Sequence, residues 1–295
     1  MSTAADSPET TKVHYRTVSI QGIEVFYREA GLKDAPVLLL LHGFPTSSNM
    51  FRNLIPRLAK TFRVIAPDYP GYGFSGMPDR KDFNYTFENQ TTIVEELVKH
   101  LELQSYALYV MDYGAPIGYR LALRDPEKVT GIIVQNGNAY EEGLLKFWDP
   151  IKKYWSQPTP ENRAALAFLA AAEATKWQYQ NGVSDTSLLD PTTWTLDQAL
   201  MDRRGNGDIQ LDMLLDYGTN IPLYPDFQAF FRKYQPPMLI VWGKNDFIFP
   251  PEGAAPYQRD LPNVETHLLD TGHFALETHG EEIADRIEKF FATRK

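Results

Sequence analysis

The stretch Tyr106-Ala107-Leu108-Tyr109-Val110-Met111-Asp112-Tyr113-Gly114-Ala115-Pro116-Ile117-Gly118 decides the fold. Six apolar residues in a row read as a strand buried on both faces, the pattern of a parallel sheet covered by helices. An acid follows at once, and a helical pattern over 115–124 begins with almost no linker. A strand that turns this sharply into a helix, with a small residue (Gly114) two positions after the centre of the turn, has the geometry of a nucleophile elbow. Such a turn lifts one side chain above the end of the sheet, where open α/β folds place their sites. In this sequence the side chain at the centre is Asp112.

Working outward, the same alternation repeats. Strand patterns at 37–41, 63–66, 131–135, 238–242 and 265–269 alternate with helical ones at 50–58, 89–101 and 281–293. A hairpin pattern, 17–19 and 23–27 around Gln21-Gly22, precedes them. The prediction is an α/β fold with a mostly parallel, doubly wound sheet. Between 138 and 224 the strand rhythm stops, and this stretch holds four of the five tryptophans, Trp148, Trp155, Trp177 and Trp194. We therefore expect an α/β core over 1–137 and 225–295, with a helical cap over 138–224 inserted between strands. Its aromatic content fits either packing against the core or a lid over a pocket.

Composition narrows the function. Of 295 residues 43% are hydrophobic and 23% charged, enough to bury a sizeable core. The net charge of −9, without basic clusters, argues against nucleic acid or an anionic membrane surface as partner. No apolar run approaches the ~20 residues of a membrane helix, and the polar N-terminal stretch 1–12 lacks the core of a signal peptide. A cytoplasmic protein is expected. The absence of cysteine removes thiolate nucleophiles and thiolate metal sites.

Two further strand ends carry chemistry. Strand 238–242 runs into Gly243-Lys244-Asn245-Asp246, and strand 265–269 into Asp270-Thr271-Gly272-His273-Phe274. Both side chains should emerge at the sheet edge that carries Asp112, in the chain order nucleophile, acid, histidine. The first buried strand ends in His42-Gly43-Phe44-Pro45, a loop whose amide can point at the elbow. His42 reads as a prop of that loop, and Asp68 as a brace after its own strand. The remaining histidines have no partners at metal-ligand spacing, so no metal site is predicted. Gly71-Tyr72-Gly73 is a turn and not a dinucleotide-binding run, so no cofactor is expected. Asn136 ends strand 131–135 where an acid would also be placed; an amide cannot serve, which leaves Asp246.

In order and spacing these motifs resemble the α/β-hydrolase superfamily, and within it the aspartate-nucleophile branch of epoxide hydrolases and haloalkane dehalogenases. The resemblance runs from His42-Gly43-Phe44-Pro45 to Gly272-His273, nearly the whole chain. It implies a catalytic triad of Asp112, His273 and Asp246, with the amides of Phe44 and Tyr113 as the oxyanion hole. A carboxylate can displace a leaving group from a saturated carbon, leaving an alkyl ester on Asp112. His273, oriented by Asp246, would then activate water to hydrolyse it.

The two families differ in how the leaving atom is stabilised. Epoxide hydrolases protonate an alkoxide with cap tyrosines; dehalogenases hold a halide with N–H donors, commonly a Trp after the nucleophile and an Asn in the early loop. Here those two positions are Tyr113 and Phe44, and His-Gly-Phe-Pro is the epoxide hydrolase form of the loop, although Thr46-Ser47-Ser48 resembles the dehalogenase continuation. Tyr154 and Tyr217 lie at about the family's distances for cap proton donors. The reading is an epoxide hydrolase acting on a small apolar molecule. The alternatives are haloalkane dehalogenation and, from another class, a ligand-binding protein on the same fold, which Asp112→Asn would leave unchanged in its binding.

Overall fold

The computed structural model describes residues 11–294; most of the polar N-terminal stretch lies outside them. Strands β1 (His14–Ile20) and β2 (Ile23–Ala30) form the hairpin, with Gln21 and Gly22 both at positive φ, the primed turn that matches strand twist. The other strands are β3 (Val37–Leu41), β4 (Arg63–Pro67), β5 (Tyr106–Met111), β6 (Val129–Gln135), β7 (Met238–Gly243) and β8 (Glu265–Leu269). They form one eight-stranded sheet in the order β1-β2-β4-β3-β5-β6-β7-β8. β2 pairs antiparallel with both neighbours, and every pairing from β4 to β8 is parallel.

The continuous apolar runs are explained by two cores, one on each face. Leu39, Leu41, Leu108, Val110, Ile132, Val134, Ile240 and Trp242 point to one, joined by Ile93, Val94 and Leu97 of α2 (Phe87–His100) and Ile117 and Leu121 of α3 (Gly114–Arg124). Leu38, Leu40, Ala107, Tyr109, Ile133, Leu239 and Val241 point to the other, against α1 (Leu54–Leu58) and the long C-terminal helix (Leu276–Ala292). The strict alternation is the two-residue repeat of a pleated strand.

Two helix expectations are corrected. The pattern at 50–58 is a 3₁₀ turn, Ser48–Phe51, followed by α1. Pro56 has no N–H to give to the carbonyl of Arg52 and its ring crowds that carbonyl, so one continuous helix cannot cross that point. The last helix begins at Leu276, before the predicted 281, and kinks at His279 (φ −124°), which is half-buried there.

Between β6 and β7 lie α4 (Asp149–Ser156), α5 (Pro160–Ala164), α6 (Ala172–Gln180), α7 (Thr192–Met201), α8 (Asn206–Asp216) and α9 (Tyr224–Tyr234), interleaved with 3₁₀ turns that include Tyr217–Leu223. α10 (Tyr257–Asp260) and then the C-terminal helix, α11, complete the fold. Among the described residues no helix is long and apolar enough to cross a membrane.

Candidate active site

Parallel register carries β3, β5, β6, β7 and β8 to a common edge, and the residues just beyond their ends meet there. Asp112 follows β5 with φ +52°, the left-handed backbone that a non-glycine residue seldom adopts outside strained functional turns. The turn is tight because α3 starts against the neighbouring strand: a Cβ on Gly114 would lie 2.1 Å from the carbonyl oxygen of Leu41.

The Asp112 carboxylate is used unevenly. Its Oδ1 accepts two backbone hydrogen bonds, from the N–H of Phe44 (2.8 Å) and of Tyr113 (2.5 Å). Gly43 makes the first possible, since a Cβ there would stand 2.3 Å from the Asp112 Cβ. Oδ2 is left facing His273 Nε2 at 3.6 Å, beyond hydrogen-bond length. That nitrogen is buried and has no hydrogen-bond partner among the described residues.

His273 is held from its other side. Nδ1 lies 2.7 Å from Asp246 Oδ2, which fixes Nδ1 as the protonated nitrogen and leaves Nε2 to face Asp112. Gln135 Nε2 donates to the His273 carbonyl (3.1 Å), and Phe249 and Phe274 flank the ring. Asp246 is fully paired: Oδ1 accepts from the N–H of Ile248 (2.8 Å), and Oδ2 also accepts from Asn136 Nδ2 (2.8 Å). Asn136, read from sequence only as a missing acid, thus holds the acid that is present. Its own Oδ1 accepts from the N–H of Gly243 (2.9 Å), which ties β6 to β7 at the site. The signal was available in its position one strand over from the elbow, where Met111 pairs with Gln135.

Electrostatics follow burial and pairing. Burial pushes the Asp112 carboxyl up to about 6, against the opposing pull of His273 and the two amides. Burial lowers the His273 imidazole, but Asp246 and Asp112 outweigh it and leave the net value raised. His42, by contrast, is pulled down to about 3 by complete burial. It is a neutral prop: Nδ1–H donates to the Gly43 carbonyl (3.0 Å) and Nε2 accepts the N–H of Tyr69. Asp68 braces the loop beside it, accepting from the N–H groups of Ser48 and Phe74.

The segment between β6 and β7 covers this edge with aromatic rings. Tyr217 packs on Trp148 (4.5 Å between ring centres), Trp155, Phe249, Phe87 and Tyr113. The structure therefore brings Tyr217 to the site. The Tyr154 hydroxyl is engaged elsewhere, accepting a hydrogen bond from Arg163, itself paired with Asp208 and Asp212. Spacing along the chain could not tell the two apart, because a helix face is chosen by what packs against it. A separate apolar cleft of 610 Å³, lined by Phe147, Ile151, Leu169, Trp177, Gln178 and Phe247, includes none of Asp112, His273, Asp246, Phe44 or Tyr113 in its walls. Among the described residues no group of three or more His, Asp or Glu side chains is placed to hold a metal.

Comparison with known proteins agrees with this architecture. An uncharacterized hydrolase of Saccharomyces cerevisiae is 46% identical over 283 residues, covering 94% of this chain and 97% of the relative. A cis-3-alkyl-4-alkyloxetan-2-one decarboxylase of Shewanella oneidensis is 27% identical over 92% of this chain and 86% of its own. A haloalkane dehalogenase of Bradyrhizobium diazoefficiens is 36% identical over 121 residues, 41% of this chain and 38% of its own. Among solved structures, the epoxide hydrolase CorEH superposes with a TM-score of 0.75 at 22% identity, covering 96% of this chain and all of that one. The family model of the alpha/beta hydrolase fold matches residues 36–280, and the chain belongs to that family.

Proposed function

We propose that this protein is a hydrolase that works through an ester on Asp112, with an epoxide as substrate. The observation that carries the reading is the divided carboxylate: one oxygen held by two amides, the other facing an imidazole nitrogen with no partner of its own. Oδ2 attacks a saturated carbon and the carbon–oxygen bond of the epoxide breaks. Oδ1 becomes the carbonyl oxygen of the ester, already in contact with the donors that stabilise it as an oxyanion. His273 takes a proton from water, hydroxide adds to the ester carbon, and the imidazolium returns the proton to the departing diol oxygen. Donors of this kind are each worth roughly 3–4 kcal/mol in comparable sites.

The choice of epoxide over halide rests on which donors are free. A departing halide needs N–H donors, but the two indoles on Tyr217 are committed to backbone: Trp148 Nε1 donates to the Ile248 carbonyl and Trp155 Nε1 to that of Leu214 (2.7 Å each). The rings packed together at the elbow, Tyr113 and Tyr217, carry hydroxyls, which suit a basic alkoxide. The rings of Phe44, Tyr113, Tyr217 and Phe249 packed around the triad support an apolar substrate. The test is intact-protein mass spectrometry of His273→Ala incubated with pooled epoxides and pooled haloalkanes. A whole epoxide added at Asp112 is the expected result. An alkyl group without its halogen means dehalogenation, and no adduct from either pool overturns the ester mechanism for both substrate classes.

A further inference from the structure

The C-terminal end of α6 sits against two of the loops that carry the triad. Asn245, next to Asp246 in the chain, donates through Nδ2 to the Gly182 carbonyl (2.9 Å). Gly182, at φ +79°, packs so closely that a Cβ there would stand 2.5 Å from the Asn245 carbonyl oxygen. Gly272, next to His273, is as tight: a Cβ on it would run into the Asn181 carbonyl. Just before them the Tyr179 ring lies flat on Phe274, with 4.0 Å between centres and 9° between planes. Phe274 in turn meets the His273 ring edge-on at 4.9 Å. The loops of the triad acid and the triad histidine are thus both seated on residues 179–182.

The Tyr179 hydroxyl is anchored deep in the protein. It donates to Asp197 Oδ2 on α7 at 2.5 Å, and both side chains are buried. The hydroxyl of Thr46, two residues past Phe44, is in hydrogen-bond contact with both. Arg52 is the cation whose charge acts on Asp197, but its guanidinium is committed to both oxygens of Glu277 (2.9 and 2.7 Å). Burial accordingly pushes the Asp197 carboxyl up to about 7. A carboxyl taken out of water with no cation bonded to it weakens the fold. What a satisfied buried network supplies is one fixed arrangement of the groups it joins. Here it joins α6 and α7, the loop of the Phe44 amide and, through Phe274, the imidazole of His273.

We infer that Tyr179 and Asp197 are positioning residues for the second half-reaction: with Asp197 holding its hydroxyl, the Tyr179 ring backs Phe274 and keeps His273 aimed for hydrolysis of the Asp112 ester. The inference rests on the ester mechanism proposed above and not on the choice between epoxide and halide. Its signature is a split between the two steps. Ester formation is the work of Asp112. His273 enters when water is activated, and the Phe44 N–H is needed most when the oxyanion forms. Disturbing Tyr179 or Asp197 therefore slows hydrolysis and lets the ester accumulate.

The experiment follows single turnovers of 1,2-epoxyhexane by quenched intact-protein mass spectrometry, which reads ester formation and ester hydrolysis separately. His273→Ala is the reference that forms the ester and stalls. Tyr179→Phe keeps the ring and loses the anchor; Asp197→Ala removes the acceptor, and Asp197→Asn restores one. Hydrolysis is expected to slow about tenfold in Tyr179→Phe and about 100-fold in Asp197→Ala, while ester formation stays within about threefold. Asp197→Asn should return hydrolysis to within about threefold of the parent. A merely structural contact would instead lower the fraction of active protein and scale both steps alike. Should Asp197→Ala fail to fold, Tyr179→Phe, which leaves the ring packing in place, decides. Unchanged hydrolysis in Tyr179→Phe, or both steps slowed alike, overturns the inference and, with His273→Ala labelled, leaves the ester mechanism standing. No ester on His273→Ala with 1,2-epoxyhexane, other epoxides or haloalkanes removes the mechanism and the inference together.

Discussion

The sheet edge and the helical segment above it solve the same problem in opposite ways. At the edge nearly every polar atom is paired. Asp246 accepts from His273, Asn136 and Ile248, and Asp112 Oδ1 accepts two amides, so within the triad Asp112 Oδ2 and His273 Nε2 are the atoms left facing each other. In the segment above, the indoles of Trp148 and Trp155 are paired with backbone, and the Tyr217 ring is held between them. The edge holds its reactive atoms rigid by hydrogen bonds; the segment holds the rings around Tyr217 chiefly by packing. Preorganised geometry of the first kind is what electrostatic stabilisation of a transition state requires.

If that division is right, the largest losses come from the edge. Asp112→Asn removes the attacking oxygen and should lower turnover by at least about 10⁴-fold, checked by product formation under substrate excess. The same variant should gain stability. The folded Asp112 carboxyl sits near 6, above its ordinary 3.8. Its contribution to stability is therefore present below about pH 4 and is lost as pH rises through 6. Asp112→Asn escapes that loss, so its melting temperature should exceed the parent's at pH 7.5, with the gap closing toward pH 4.

Asn136→Ala comes next. It removes the Asn136 donor on Asp246 and places alanine at φ +42°. A drop in kcat of roughly 10–100-fold is expected, by analogy with the cost of removing a partner that orients a ligating or catalytic group. A shifted pH profile for ester hydrolysis would separate disturbed His273 from simple unfolding. Acid should act on ester formation in the intact enzyme. Because Asp112 must be ionised to attack, the rate should fall about tenfold per pH unit below roughly pH 6. A rate flat to pH 4 would mean that the nucleophile is not this carboxyl.

The smallest effect belongs to Tyr154→Phe. Its hydroxyl serves Arg163, so activity should stay within about twofold while stability falls by about 1 kcal/mol, measured by urea unfolding. A hundredfold loss of activity would instead bring Tyr154 back as a proton donor.

The same contrast explains what could be read from sequence. β3, β5, β6 and β7 are legible because a strand buried on both faces must be apolar throughout. Asp112, Asp246 and His273 are legible because each stands just past such a strand, and parallel pairing sends them to one edge. Phe44 needs only its backbone, which the loop after β3 supplies. The segment was less legible: Tyr154 and Tyr217 share a residue type and a plausible spacing, and only Arg163 on one side and the ring cluster of Trp148, Trp155 and Phe249 on the other tell them apart. Asn136 was hidden differently. Its amide was judged as a failed acid, whereas its use lies in donating to one.

The central claim is that Asp112 forms the ester, and a single turnover in H₂¹⁸O tests it most directly. Water attacks the ester carbon, so one heavy oxygen should remain in the Asp112 carboxylate, located by peptide mass analysis, while the first diol released carries none. Label in the first diol with Asp112 unlabelled would mean that water attacks the substrate directly, and would contradict the account.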